Sequence, residues 1–471
     1  MGVTSVAHLA PERSFRDPGG FVFRHGSRIF RAVEPSAFEI LRDFLASKPA
    51  LELTDSSRLV ATWFPDDASF SLPANYRLAE HTPVPFPSFP AEWPAEMLAC
   101  AASLTLDLAE LSLAHGWRLK DATPYNILFR GSSPVFVDVL SFEPRDPHDG
   151  LWQAYAQFVR TFLLPLLAHR ASLFPLDQLW LARRDGLEPE HLYPSLSLLG
   201  KVTQPALTLV SLPKWLSKKA ESSTGLYRPR PTDPETATRT MASLLRGLRR
   251  QLHRLEPRPR DSHWTGYLDT QLHYTPEQFA LKESFVASAL RDFAPRRVLD
   301  VGANTGHFSE LAARSGAAVT AIDSDASAAG KLFLSASRQN LDILPLVVDL
   351  CRPTPALGWR NRESPSFLDR ARGGFEMVMM LAVVHHMLIT ERVPLEEILA
   401  LVSGLTTDLL LIEFIEPADP MFRRLARGRD ALYVHLTAAY FEAACAPLFE
   451  TVRKQPISES SRTLYLLRRR T

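Results

Sequence analysis

Residues 298–306, Val-Leu-Asp-Val-Gly-Ala-Asn-Thr-Gly, restrict this chain more than any other stretch. Arg297 to Val301 is short and apolar, as a parallel strand buried on both faces must be. Gly302 and Gly306 bracket a tight turn, and His307 to Ser315 has helical composition. A strand that passes through glycines into a helix offers backbone N–H groups and a helix N-terminus to whatever lies above the sheet. The next apolar run, Ala318 to Ile322, ends in Asp323. That acid follows Gly302 by about 20 residues, the distance at which a second strand sets a carboxylate against ribose hydroxyls. A nucleoside-bearing cofactor is implied.

The glycine spacing narrows the choice. A dinucleotide site uses G-x-G-x-x-G, because backbone must close on a pyrophosphate. Here Asn304 replaces the second glycine, and Asp300 precedes Gly302 by two positions. An acid there suits a cofactor carrying an ammonium group better than one carrying phosphates. The segment resembles motif I of the class I S-adenosylmethionine-dependent methyltransferases, over roughly residues 275–471. The resemblance implies that Gly302, Asn304 and Gly306 cup the methionine half and that Asp323 binds the ribose diol. It also places Asp349, after the run Leu344 to Val348, near the adenine.

A chain of 471 residues accommodates two or three domains. Its net charge of +1 supplies no global field for nucleic acid or acidic membranes. The three cysteines, Cys100, Cys351 and Cys445, form no C-x-x-C pair, which argues for reduced thiols in the cytoplasm and against a structural zinc site. The most apolar long segment, Leu151 to Ala168, contains Gln153, Gln157, Arg160 and Pro165, and reads as a buried helix and not a membrane span.

The pattern divides the chain into residues 1–204, a Pro-rich linker over 205–262 and a second domain over 263–471. Phe21 to Arg24 and Arg28 to Val33 flank a turn and read as a hairpin. A helix is expected from about Pro94 to His115, with Met97, Ala101, Leu104, Leu108 and Leu111 on one stripe. In the linker, Asp233 and Pro234 open an amphipathic helix. Its apolar stripe is Met241, Leu244, Leu245, Leu248, Leu252 and Leu255. The opposite face carries Arg246, Arg249, Arg250 and Arg254, a solvated face or an anion-contacting one. Thr275-Pro276-Glu277-Gln278 reads as a capping box with proline at N1. Strands recur near 297–301, 318–322, 343–348, 375–381, 408–414, 449–454 and 463–468, with helical patterns between most of them. This is an α/β chain with a doubly wound, seven-stranded sheet, and its last two strands should pair antiparallel.

Ligands of open α/β sheets bind beyond the carboxyl ends of the strands. The fourth strand runs into His385 and His386, and the fifth ends at Glu413. Imidazole titrates near neutrality, so either histidine can remove a proton from an acceptor; alternatively one caps the next segment and the other packs. Phe422, Arg423, Arg424, Arg427 and Arg429 follow strand five and can clamp an anionic or hydroxylated acceptor. Trp264, Tyr267 and Tyr274 precede the first helix, where they stack on the cofactor or pack against the sheet, and Lys282 lies on that helix.

A second constellation occupies the first domain. Asp121 and Asn126, in Asp-Ala-Thr-Pro-Tyr-Asn, are followed by the run Val135 to Val137 and Asp138. The arrangement resembles the D-x-x-x-x-N loop and metal-binding acid of protein kinase-like and aminoglycoside-phosphotransferase-like folds. It implies an α+β domain. The sequence departs from that pattern in lacking G-x-G-x-x-G in the hairpin, and a third-strand lysine is missing or replaced by Arg28 or Arg31. A degenerate module is expected; turn-capping by Asp121 and Asn126 is the plainer alternative.

The whole reading is an S-adenosylmethionine-dependent methyltransferase. It resembles bacterial two-part methyltransferases, some labelled nodulation proteins, and this implies a small-molecule, carbohydrate or natural-product acceptor. Nucleic acid is not expected as a partner. The rivals are a bifunctional enzyme with an active small-molecule phosphotransferase domain, and a non-catalytic S-adenosylmethionine-binding regulator.

Overall fold

In the computed structural model, which describes residues 4–5, 16–66, 70–72, 75–220, 233–258 and 274–470, the chain forms two compact units. Trp264 and Tyr267 lie outside the described residues.

The first unit comprises residues up to Phe129, Pro134–Arg258 and the separate segment Ala356–Ser364. The expected hairpin is present as β1 (Gly20–His25) and β2 (Arg28–Val33). With β3 (Thr62–Trp63) and β4 (Arg77–His81) it forms a four-stranded antiparallel sheet in the order β1-β2-β4-β3. Helix α1 (Ala95–Ala114) is long and apolar enough to cross a membrane by composition, but Met97, Leu98, Ala101, Leu104 and Leu108 are buried. Helix α2 (Pro234–Leu255), capped by Asp233 as its sequence predicts, packs along α1 and buries Met241, Leu245, Leu248, Leu252 and Leu255. It therefore belongs to the core of the first unit. A stripe of five large aliphatics is stable only where another apolar face covers it. Of the basic face, Arg249 is anchored to Asp107 (2.7 Å) and Glu110 (2.9 Å), while Arg246, Arg250 and Arg254 are exposed.

The second unit comprises 130–133, Pro259–Pro355 and Pro365–Thr471. The capping box opens α3 (Pro276–Phe293), with Thr275 and Gln278 bonding reciprocally. The alternation then runs β5 (Arg297–Val301), α4 (His307–Arg314), β6 (Ala318–Asp323), α5 (Ala326–Gln339), β7 (Ile343–Val347), β8 (Phe375–Met380), α6 (Val384–Ile389), α7 (Leu395–Leu405) and β9 (Thr406–Ile415). It closes with β10 (Phe449–Pro456) and β11 (Arg462–Arg469). The sheet has seven strands in the order β7-β6-β5-β8-β9-β11-β10. Neighbours are parallel from β7 to β9 and antiparallel among β9, β11 and β10. Val298, Val319, Met377, Met379, Leu409 and Leu411 form one buried layer of its core. Strand order reverses around β5, so the carboxyl ends of β5, β6 and β8 flank one crevice.

Candidate active site

That crevice is a cavity of about 590 Å³ within the second unit. Asp300, Gly302, Asn304, Asp323, Asp349 and His386 all line it, joined by Tyr274, Phe279, Lys282, His307 and Phe308. Sequence positions from 274 to 391 converge because each lies at, or just beyond, the end of a parallel strand or on the helix beside β5.

The turn after β5 differs from its sequence-based expectation in one chemically important respect. Its amides are not offered to the ligand. Gly302 and Ala303 donate to Ile322 O (2.8 and 3.1 Å), Asn304 to Asp323 Oδ2 (2.8 Å), Thr305 to Asn304 Oδ1 (2.6 Å) and Gly306 to Ala303 O (2.9 Å). A pyrophosphate would find none of these five N–H groups available, whereas a cationic ligand needs none of them. Glycine is required at both ends of the turn. Gly302 (φ +70°) and Gly306 (φ +92°) are left-handed, and an added Cβ would lie 2.3 Å from Val383 Cγ2 or 2.1 Å from Leu332 Cδ1.

Asp300 is 3% exposed and accepts from Ser309 Oγ at 2.6 Å. Burial pushes its carboxyl up to about 6, with Asp323 adding to the rise and Ser309 and Lys282 opposing it. Asp323 faces the crevice. Its two oxygens take the Asn304 and Asp325 amides, both at 2.8 Å, and a carboxylate has further lone pairs for a ribose diol. Burial raises its pKa despite those bonds. Replacing Asp323 by alanine should weaken S-adenosylhomocysteine binding by about 1–3 kcal/mol, roughly 10- to 100-fold by calorimetry. Unchanged affinity would remove Asp323 from the site. Asp349 accepts from the Cys351 amide (2.9 Å) and from Arg352 Nε (3.1 Å), and Arg352 also reaches Glu391 (3.1 Å).

The histidine pair divides. Only His386 lines the cavity; His385 is 4% exposed and belongs to the packing beneath, with the two ring centres 4.2 Å apart. Burial holds the His386 imidazole below its ordinary range. The arginine-rich loop does not form a clamp on this cavity. Phe422 is wholly buried against Tyr433, and none of Arg423, Arg424, Arg427 and Arg429 lines the cavity.

A group the sequence did not assemble lies behind one wall. Glu413, fully buried near the end of β9, accepts from Lys282 Nζ (2.7 Å) and Tyr274 Oη (2.5 Å). Arg462 donates to Tyr274 Oη (2.6 Å) and Asp419 (2.8 Å). No sequence signal marks this group, because the burial of Lys282 and Arg462, which such residues tolerate only when paired, is visible only in the fold.

Residues 268–405 match a family described as a methyltransferase domain. The chain is 31% identical, over 97% of its length, to the nodulation protein NoeA of Rhizobium meliloti (strain 1021), and covers 95% of that protein. The chain belongs to the NoeA family. Its second unit is a class I S-adenosylmethionine-dependent methyltransferase domain. Among solved structures, the N-methyltransferase NodS of Bradyrhizobium japonicum WM9 aligns at 13% identity and a TM-score of 0.31, over 42% of this chain and 98% of that one. Magnesium protoporphyrin IX methyltransferase of Synechocystis PCC 6803 aligns at 18% identity and 0.31, over 48% and 94%.

In the first unit, Asp121, Asn126 and Asp138 do come together, in a cleft of about 860 Å³ that Arg31, Lys120, Tyr125, Arg184 and Glu363 also line. Of the two candidate lysine replacements, Arg31 is the one in the cleft. Arg31 pairs with Asp138 (3.0 Å) and Asp17 (3.2 Å), whereas Arg28 binds Glu80 (2.6 Å). Ser141 Oγ donates to Asp138 Oδ2 at 2.6 Å. Glu363, in the segment that clusters with this unit, is paired with Arg16 and Arg184.

Proposed function

We propose that the enzyme methylates a hydroxyl or amine of a small polar acceptor, of carbohydrate or natural-product type, and that His386 removes its proton. S-adenosylmethionine supplies a methyl group on a sulfonium, and the chain's residues bind it, orient it and exclude water. The observation that carries this reading is the half-buried imidazole of His386 on the wall of the cavity that holds the glycine turn and Asp323. A nucleophile that starts protonated needs a base within the site, and positioning supplies much of the remaining rate. Phe279, His307 and Phe308, which line the same cavity, form an aromatic cluster with ring centres 5.0–6.0 Å apart, a surface suited to the apolar face of a sugar ring. NoeA's description as a nodulation protein also favours such an acceptor. Purified protein should transfer label from methyl-labelled S-adenosylmethionine to a compound in a bacterial metabolite extract, read by mass spectrometry. Cofactor binding without transfer to any extract component would favour the regulator.

For the first unit, the reading is a degenerate kinase-like module that presents the acceptor. Arg31 already neutralises Asp138, the acid that would hold a metal ion in that fold, so phosphoryl transfer is disfavoured. Magnesium-dependent ATP turnover lost in Asp138→Asn would reverse this and establish the bifunctional enzyme. Three free cysteines accord with a cytoplasmic location.

A further inference from the structure

Among the described residues, the first unit leaves one group of large apolar side chains in solvent. In the short helix Leu198–Val202, Leu198 is 85% exposed and Leu199 71%, and Val202 is exposed with them. In the helix Leu212–Ala220, Leu212, Trp215 and Leu216 are exposed at the i, i+3, i+4 spacing of neighbours on one helix face. Leu209 and Val210, just before it, are buried, so the core is already supplied there and the second set is held outside it.

The two helices meet around Tyr193. Ser211 Oγ donates to Lys201 O (2.6 Å), Lys201 Nζ lies 4.5 Å from the centre of the Tyr193 ring, and Trp215 Nε1 donates to Tyr193 Oη (3.1 Å). Contiguous exposed apolar surface with a polar rim marks a binding face.

Charge decides what that face binds. From Leu192 to Ala220 the sequence holds four lysines, Lys201, Lys214, Lys218 and Lys219, with no acid and no arginine. Glu190 pairs with Lys214 at 3.7 Å, an exposed contact of little energy. Protein interfaces favour arginine and are poor in lysine. Leucine, tryptophan and lysine together suit the surface of an acidic bilayer instead. The apolar side chains enter the boundary between headgroups and acyl chains, a depth that tryptophan prefers. Each lysine lays its stem on apolar surface and keeps its ammonium among the phosphates. The described helix long and apolar enough to span a bilayer, α1, packs within the first unit, so the attachment is peripheral.

We propose that the surface formed by the helices Leu198–Val202 and Leu212–Ala220 docks the protein on membranes of acidic phospholipid.

The test is co-sedimentation of the full chain with vesicles of phosphatidylcholine, alone or mixed with phosphatidylglycerol, at low and high salt. The unaltered protein should favour the acidic vesicles by at least about 10-fold and should be released by salt. Leu199→Ser/Leu216→Ser should weaken binding by about 10-fold or more, the scale of two apolar side chains left in water. Lys201→Gln/Lys214→Gln should weaken it by about 5- to 30-fold, on acidic vesicles only. The leucines stand in solvent and the lysines at least partly so, and melting temperatures should match that of the unaltered protein. Failure to sediment with either vesicle overturns the proposal, as does equal binding to both that salt does not affect. Dimerisation that the leucine variant loses, without vesicle binding, would assign the surface to a second copy of the chain instead.

Discussion

His386→Asn should lower kcat by about 10²- to 10⁴-fold while leaving S-adenosylhomocysteine affinity within about twofold. The asparagine keeps a polar group of similar reach but cannot take up a proton near neutral pH. His385→Asn should instead act on stability, since that ring lies outside the cavity. The pH profile gives a second readout. Burial lowers the His386 pKa, so kcat should hold on acidification until below the ordinary imidazole range and then fall. Retention of full kcat in His386→Asn would remove general-base catalysis from this residue and direct attention to an acceptor that is already deprotonated.

Asp300→Asn should change binding and stability in opposite directions. A carboxyl raised to about 6 holds a proton that the unfolded chain releases near 3.8. Its contribution to folding is therefore full below the unfolded value, falls as pH rises through 6, and remains a fixed cost above that. Two pKa units correspond to about 3 kcal/mol, so the cofactor-free Asp300→Asn protein should be about 1–3 kcal/mol more stable at pH 8. Its stability should also lack the unaltered protein's decline between pH 4 and 6. A bound ammonium favours the ionised acid, so cofactor binding should expel a proton below pH 6. Affinity of the unaltered protein should then drop by up to about tenfold per pH unit. In Asp300→Asn, affinity at pH 8 should be about 10- to 100-fold weaker and less dependent on pH. Denaturant melts over pH 4–8 and calorimetry over pH 5–8 measure both; an unchanged affinity at pH 8 would show that Asp300 serves folding alone.

The loop amides explain why sequence reasoning reached the right cofactor class through an incomplete picture. Asn304 in place of glycine was enough to disfavour a dinucleotide. The stronger reason is that Ile322, Asp323, Asn304 and Ala303 accept all five amides of the turn. Those bonds depend on the next strand lying alongside, which a glycine pattern does not state. The helix over 234–255 is a similar case. Its stripe was evident, but whether it bridges domains or joins a core depends on what covers it, and α1 does.

From the sequence alone came the seven strands, the turn with its two obligatory glycines, and the acids Asp323 and Asp349 at strand ends. These are local properties, set by the two-residue alternation of strands, by turn stereochemistry and by fixed offsets along the chain. The tertiary structure put His386 and not His385 on the cavity wall, withdrew the 422–429 loop from the cavity, and joined Tyr274, Lys282, Glu413 and Arg462. Their partnership spans more than 100 positions and arises only when β9 pairs with β11 and α3 packs beside them. Side-chain direction and burial at that range follow from strand order and packing, and no short window of residues encodes them.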